Sequence, residues 1–103
     1  MTPTQRTLKY LRDQGYTAAV VEKWNPHARI RQDLFGFIDV LAIRGEETLA
    51  VQTTSSGNVS SRVKKIADAE DISAVRKAGW SVVVHGWRKN SKGRWVLREV
   101  DVS

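Results

Sequence analysis

The sequence predicts a small α/β domain built on a mixed central β-sheet flanked by helices. Three features predict it. Apolar patterns along the 103 residues run in the order α-β-β-β-α-β-β. A tight turn joins two strongly apolar stretches between Phe37 and Thr54, which makes an antiparallel hairpin. A strand, a helix and a strand then follow from Thr48 to His85, and such a crossover joins parallel strands, with a right-handed connection expected.

Each element has its own signal. Thr2-Pro3-Thr4-Gln5 reads as a capping box with proline at the first helical position, and Gly15 stops the helix, so a first helix is predicted over about 3–14. Thr17 to Trp24 is β-branched and aromatic and reads as a strand that Asn25-Pro26 breaks. His27 to Leu34 reads as a polar, basic connection. Phe37–Ile43 and Thr48–Thr54 are the hairpin strands, and Ser55-Ser56-Gly57-Asn58 is the loop after them. Val59, Val63, Ile66 and Ala67 share one helical face, which Ile72 and Val75 continue past a possible break at Asp71. Gly79 ends that helix. Trp80–His85 is a buried strand, and Asn90 to Gly93 turns into a last strand over Arg94–Val102.

Length allows one domain, 1–103, and a hydrophobic fraction of 41% suffices for one core. Lysine plus arginine number 17 against 11 acids, a net charge of +6. That balance points to an anionic partner, with nucleic acid first. A membrane surface fits less well, because no long amphipathic helix gathers the basic residues on one face. The absence of cysteine excludes disulfides and thiolate metal sites and fits a reducing cytoplasm. No leader-like or membrane-spanning apolar run is present in the sequence, so a soluble cytoplasmic protein is expected.

The hairpin is where the sequence becomes specific. A two-residue Gly45-Glu46 loop sets Arg44 opposite Glu47, and counting back sets Asp39 opposite Gln52. Directly opposed residues share a face, with Cβ atoms roughly 4.5–5.5 Å apart. Ile38, Val40, Ala42, Leu49 and Val51 are expected on one face and Leu41, Ile43 and Ala50 on the face of Asp39. With both faces covered, a carboxylate at Asp39 needs a partner, hydrogen bonds or a cation. Mg²⁺ suits an oxygen-rich site of this kind. The plainer alternative is that Asp39 accepts backbone or arginine hydrogen bonds, with Gln52 as its partner.

This pattern resembles the PD-(D/E)xK nuclease superfamily, which includes Holliday junction resolvases and many restriction enzymes. Gly36-Phe37-Ile38-Asp39 followed by Val40-Leu41-Ala42-Ile43 is similar to the resolvase segment G-x-P-D-h-h-A-h, with Ile38 in place of proline. Leu49 to Thr54 is similar to the strand that carries E-x-K, with Gln52 in place of the acid and Thr54 in place of the lysine. The resemblance implies a restriction-endonuclease-like αβββαβ core plus a C-terminal strand. It also implies Mg²⁺ or Mn²⁺ as cofactor, DNA (branched DNA included) as partner, and a homodimer, for which the last strand with Trp95 and Leu97 is a candidate interface. Asp39, Gln52, Glu22 and Asp33 are the metal-ligand candidates it singles out. Thr54 cannot supply a cation, so Lys65 or Lys64 from the following helix is the expected replacement.

Arg29, Arg31 and Arg62 are candidate phosphate contacts. Ser55, Ser56 and Asn58 precede a helix N-terminus, which can bind phosphate or simply be capped. His85 ends the buried strand, where a polar group can reach substrate. Trp87 and Trp95 fit either cross-strand packing or base stacking. Three function classes remain open on sequence alone: a metal-dependent endonuclease, a catalytically inactive nucleic-acid-binding module on the same fold, and a small basic protein-interaction factor.

Overall fold

The capping box at the chain start is intact. The Thr2 hydroxyl accepts from the Gln5 amide at 3.2 Å, and the Gln5 side chain accepts from the Thr2 amide at 3.0 Å. These bonds satisfy donors that a helix start otherwise leaves open. A computed structural model describes residues 1–103, and in it helix α1 spans Pro3–Asp13. Strands β1 (Thr17–Val20), β4 (Val40–Arg44), β5 (Glu47–Ser55), β6 (Ser81–Lys89) and β7 (Trp95–Asp101) form one sheet in the order β1-β4-β5-β6-β7. Only β5 and β6 run parallel, so the sheet is mixed as expected.

Helices cover both faces. Leu11 of α1 packs with Ala18, Val40, Ala42, Leu49, Val51 and Val83 on one side. On the other, Val59 and Ile66 of α2 (Val59–Ala67) and Ile72 and Val75 of α3 (Ile72–Lys77) pack on Ala50, Val82 and Val84. The predicted long helix is therefore two helices separated at Asp68–Asp71. Their apolar residues still meet one core, which is why a single periodic face runs through the sequence. No helix is long and apolar enough to cross a membrane.

Two elements differ from expectation. The predicted strand over 17–24 divides into β1 and β2 (Lys23–Asn25), and the predicted connection contains β3 (Ile30–Gln32). β2 and β3 form a separate antiparallel ribbon, Lys23 opposite Gln32. The Asn25 side chain accepts the amides of His27 and Ala28 and turns the ribbon. Almost every ribbon residue is exposed, so no alternation of apolar and polar residues announced it. In addition, Ile38 precedes β4 rather than belonging to it. It is fully buried with Phe37 on the α2–α3 side, not with Val40 and Ala42.

The hairpin register is the expected one, with Val40 opposite Val51 and Arg44 opposite Glu47. Gly45 takes the left-handed conformation (φ 58°) that the two-residue loop requires.

His85 is fully buried on the α1 face. Its Nδ1 lies 3.1 Å from Thr7 Oγ1 and its Nε2 lies 2.8 Å from Glu99 Oε2. The Trp87 indole N–H donates to the same Thr7 oxygen at 3.0 Å. A neutral His85 satisfies the whole chain, with Thr7 donating to Nδ1 and Nε2–H donating to Glu99. Burial lowers the His85 pKa, against the pull of Glu99 in the other direction. The chain ties α1 to β6 and β7.

Gly86 of β6 lies under the segment that leads into α2. A Cβ there would collide with Val59 Cγ2 and stand 3.1 Å from the Ser56 backbone. Gly86→Ala is expected to cost about 1–3 kcal/mol, the range for overpacking a tight core. A urea melt showing an unchanged midpoint would refute that close fit.

Candidate functional site

Asp39 stands where β1 leaves the sheet. Its amide donates to Val51 O at 2.9 Å, and its carbonyl accepts the Val21 amide at 2.8 Å, so its backbone is held between β5 and the end of β1 at the bend just before β4. The residue is 4% exposed. Oδ2 accepts the Gln52 Nε2–H, the Thr53 amide at 2.8 Å and the Thr53 hydroxyl at 3.3 Å. These donors fix the carboxylate and none of them falls on Oδ1. Asp39 and Gln52 thus meet through their side chains as expected, one residue past the end of the paired register at Val40 opposite Val51.

Glu22 reaches the site because β1 ends at Val20. The break between β1 and β2 carries it out of the sheet edge, so it is not a strand residue as the sequence implied. Asp33 is held by the turn before β4. The Gly36 amide donates to Asp33 O, and Phe35 and Gly36 both take positive φ, 54° and 83°. Phe35 carries a side chain in a region that favours glycine, a local strain two residues after Asp33. Carboxylate oxygens of Glu22, Asp33 and Asp39 all lie within 4.8 Å of one another.

Three like charges at this spacing cannot sit comfortably in a site with one nearly dry member. Burial, foremost, then the Asp33 carboxyl and the Glu22 charge raise Asp39 to about 7, while the Thr53 amide pulls the other way. The other two acids each hold a cation of the chain. Lys65 Nζ is 3.0 Å from Asp33 Oδ2, and Arg31 is 3.3 Å from Glu22 Oε1. Arg62 makes no ion pair.

These groups surround a polar cavity of about 500 Å³. Glu22, Arg31, Asp33, Asp39, Gln52, Ser55, Asn58, Arg62 and Lys65 all line it. Lys64, Arg29 and Ser56 do not. Lys64 is exposed on α2, because one helical step from Lys65 turns the side chain away from the site. Arg29 sits exposed at φ 52° in the ribbon turn. Ser56 is packed against Gly86.

Two contributors had no sequence signal. Thr53 acts chiefly through its backbone amide, which residue identity does not reveal. Thr4 enters from the start of α1 and lies 2.8 Å from the Thr53 hydroxyl. Thr54 also lines the cavity, on the face of Gln52 two residues away. Its side chain brings a hydroxyl and no charge to that wall.

The donor set fits a divalent cation. Gln52 is 2% exposed, yet its Oε1 has no hydrogen-bond partner. A buried, unpartnered amide oxygen beside three clustered carboxylates is what a hard, oxygen-seeking ion takes up. Arg31, Arg62 and Lys65 lie on the same walls and bring positive charge to them. No protein-family model matches this chain, and neither does a curated protein or a solved structure.

Proposed function

We propose that this chain is a divalent-metal-dependent nuclease of the PD-(D/E)xK type, acting on DNA phosphodiesters, branched DNA included. The observation that carries the reading is the unpartnered Gln52 Oε1 beside the Asp39, Asp33 and Glu22 carboxylates, with Lys65 within the same cavity. The chain order supports it. With the β2–β3 ribbon set aside, α1, β1, β4, β5, α2 with α3, and β6 follow the αβββαβ order, and β7 is appended.

Asp39, Asp33, Glu22 and Gln52 Oε1 are the residues that would hold Mg²⁺ or Mn²⁺. When bound, such an ion activates water and stabilises charge on a phosphate. The protein's own groups do the rest. Thr53 and Gln52 hold the Asp39 carboxylate in a single orientation. Lys65 brings positive charge from α2 to the cavity whose Thr54 lacks it, and offsets charge that builds on a phosphate oxygen. Arg62, unpaired, and Arg31 orient the phosphate, with Ser55 and Asn58 at the rim.

Thr54 and Gln52 favour a second reading, a binding module that keeps the fold without cleavage. Incubating duplex, single-stranded, flap and four-way-junction DNA with Mg²⁺, Mn²⁺ or EDTA separates the two. Metal-dependent cutting that disappears in Asp39→Ala is expected. Binding without cutting under every metal would leave the second reading standing. The homodimer implied by the resolvase resemblance is part of the proposal. A monomer by light scattering across the micromolar range would remove it.

A further inference from the structure

The excess positive charge of this protein sits in one hairpin. Residues 86–98 carry Arg88, Lys89, Lys92, Arg94 and Arg98 and no acid. The rest of the chain has 12 basic and 11 acidic residues, so this outer part of the β6–β7 hairpin holds five of the six net charges, while Glu99 and Asp101 lie nearer its base. None of the five makes an ion pair. Like charges gathered on one two-stranded arm repel each other. No acid of the fold pairs with any of the five, and an external polyanion would.

The arm starts beside the cavity. In the parallel pair, Ser55 is opposite Trp87, so β6 runs on past the end of β5 as Arg88 and Lys89. Ser55 lines the cavity. One strand step is about 3.3 Å and the neighbouring strand lies about 4.8 Å away, so the basic arm leaves the sheet at the cavity's edge. Arg88 and Arg98 flank Gly86 on the face that packs against Val59 and Ser56, which is the face of Asp39 and Gln52. On the other face the Arg6 guanidinium lies 3.7 Å over the Trp95 ring, with its Nε buried and unpartnered. Arg6 makes no ion pair either, and it braces the arm against α1 while adding a sixth cation.

We propose that the β6–β7 hairpin is a DNA-docking arm that grips backbone phosphates flanking the cavity. The preferred substrate is then duplex DNA long enough to reach from the cavity along the arm, rather than a dinucleotide or a short end. The arm's position relative to cleavage rests on the nuclease reading, whereas its affinity for DNA does not.

The test is fluorescence anisotropy of a 30-base-pair duplex in EDTA across a salt series, with chain length chosen to be about three helical turns. The variant replaces Arg88, Lys89, Lys92 and Arg94 by glutamine. A phosphate contact contributes about 0.9 to the slope of log affinity against log salt, so losing four should lower the slope by about 3.6 and affinity at least about tenfold. The companion variant with Arg88→Lys and Arg94→Lys keeps the charge and should keep the slope, which controls for folding. An unchanged slope in the glutamine variant overturns the proposal. So does a wild-type protein that binds phosphatidylserine vesicles but not duplex DNA. Hydrolysis of bis(4-nitrophenyl) phosphate with Mn²⁺ separates the arm from the cavity. The glutamine variant should hydrolyse it at the wild-type rate, whereas Asp39→Ala should lose hydrolysis and keep the salt slope. Undiminished hydrolysis in Asp39→Ala would sink the nuclease reading and leave the arm standing.

Discussion

Asp39→Asn is expected to make the metal-free protein more stable above pH 7 while abolishing cleavage. The reason lies in the site's electrostatics. The Asp39 pKa rises from 3.8 to about 7 in the folded chain, first through burial and then through Asp33. The folded protein therefore binds more protons than the unfolded one between about pH 4 and 7, and its stability falls as pH rises through that window. A shift of about 3 units corresponds to at most about 4 kcal/mol. Asparagine keeps an oxygen for the Thr53 amide and removes the charge, so a gain of about 1–3 kcal/mol at pH 8 follows, several degrees of melting temperature for a chain this size. At pH 5, where Asp39 is already protonated, the gain should vanish. Equal melting temperatures for wild type and variant at pH 8 in EDTA would show that Asp39 is not a strained acid. A functional residue that costs stability is a recurrent feature of active sites.

The same linkage sets the effect of metal. A divalent cation competes with the Asp39 proton, so Mn²⁺ should raise the wild-type melting temperature more at pH 8 than at pH 5. Thermal scans in which metal stabilises equally at both pH values, or stabilises Asp39→Asn as well, would place the ion elsewhere.

Lys65→Ala should lower cleavage by about 10²–10³-fold, the range for removing one group that stabilises developing charge. Lys64→Ala, one residue away and exposed, should leave the rate within about twofold, consistent with a solvated residue that touches nothing. The contrast tests position rather than charge, because both variants lose one positive charge from the same helix. Lys65 is also paired with Asp33 at 3.0 Å, so its removal leaves that carboxylate without its cation. A Mn²⁺ titration of the rate distinguishes the two losses: a weaker metal affinity is recovered at high Mn²⁺, and a lost charge-stabilising group is not. Adding Thr54→Lys to Lys65→Ala should recover part of the rate, since Thr54 lines the same cavity from β5. Equal rates for Lys65→Ala and wild type at every metal concentration would remove Lys65 from the site.

How much of this was legible follows from the range of each signal. The Asp39–Gln52 pairing could be read because a two-residue loop fixes a register, and a register fixes a face. Lys65 and Arg62 could be placed together because they are three apart on a helix that starts next to the hairpin. The same periodicity, taken one step further, separates Lys64 from them, and the expectation that included both lysines did not apply it. Glu22 and Asp33 are candidates only through the family resemblance, as early acids that could complete a metal site. What brings them within 4.8 Å of Asp39 is the end of β1 at Val20 and the tight turn through Phe35 and Gly36, neither of which a local pattern specifies. The β2–β3 ribbon escaped notice because it buries no face. Thr4 was beyond reach, since its place depends on how α1 docks across the sheet.

The most direct test of the Asp39 cavity as a metal centre is Mn²⁺ binding followed by electron paramagnetic resonance and by calorimetry at pH 7 in buffers of different ionisation enthalpy. One Mn²⁺ per chain is expected, with release of about half a proton as Asp39 ionises, and with loss of that site in Asp39→Asn. Binding that is unchanged in Asp39→Asn and releases no proton, or no binding at all, would contradict it.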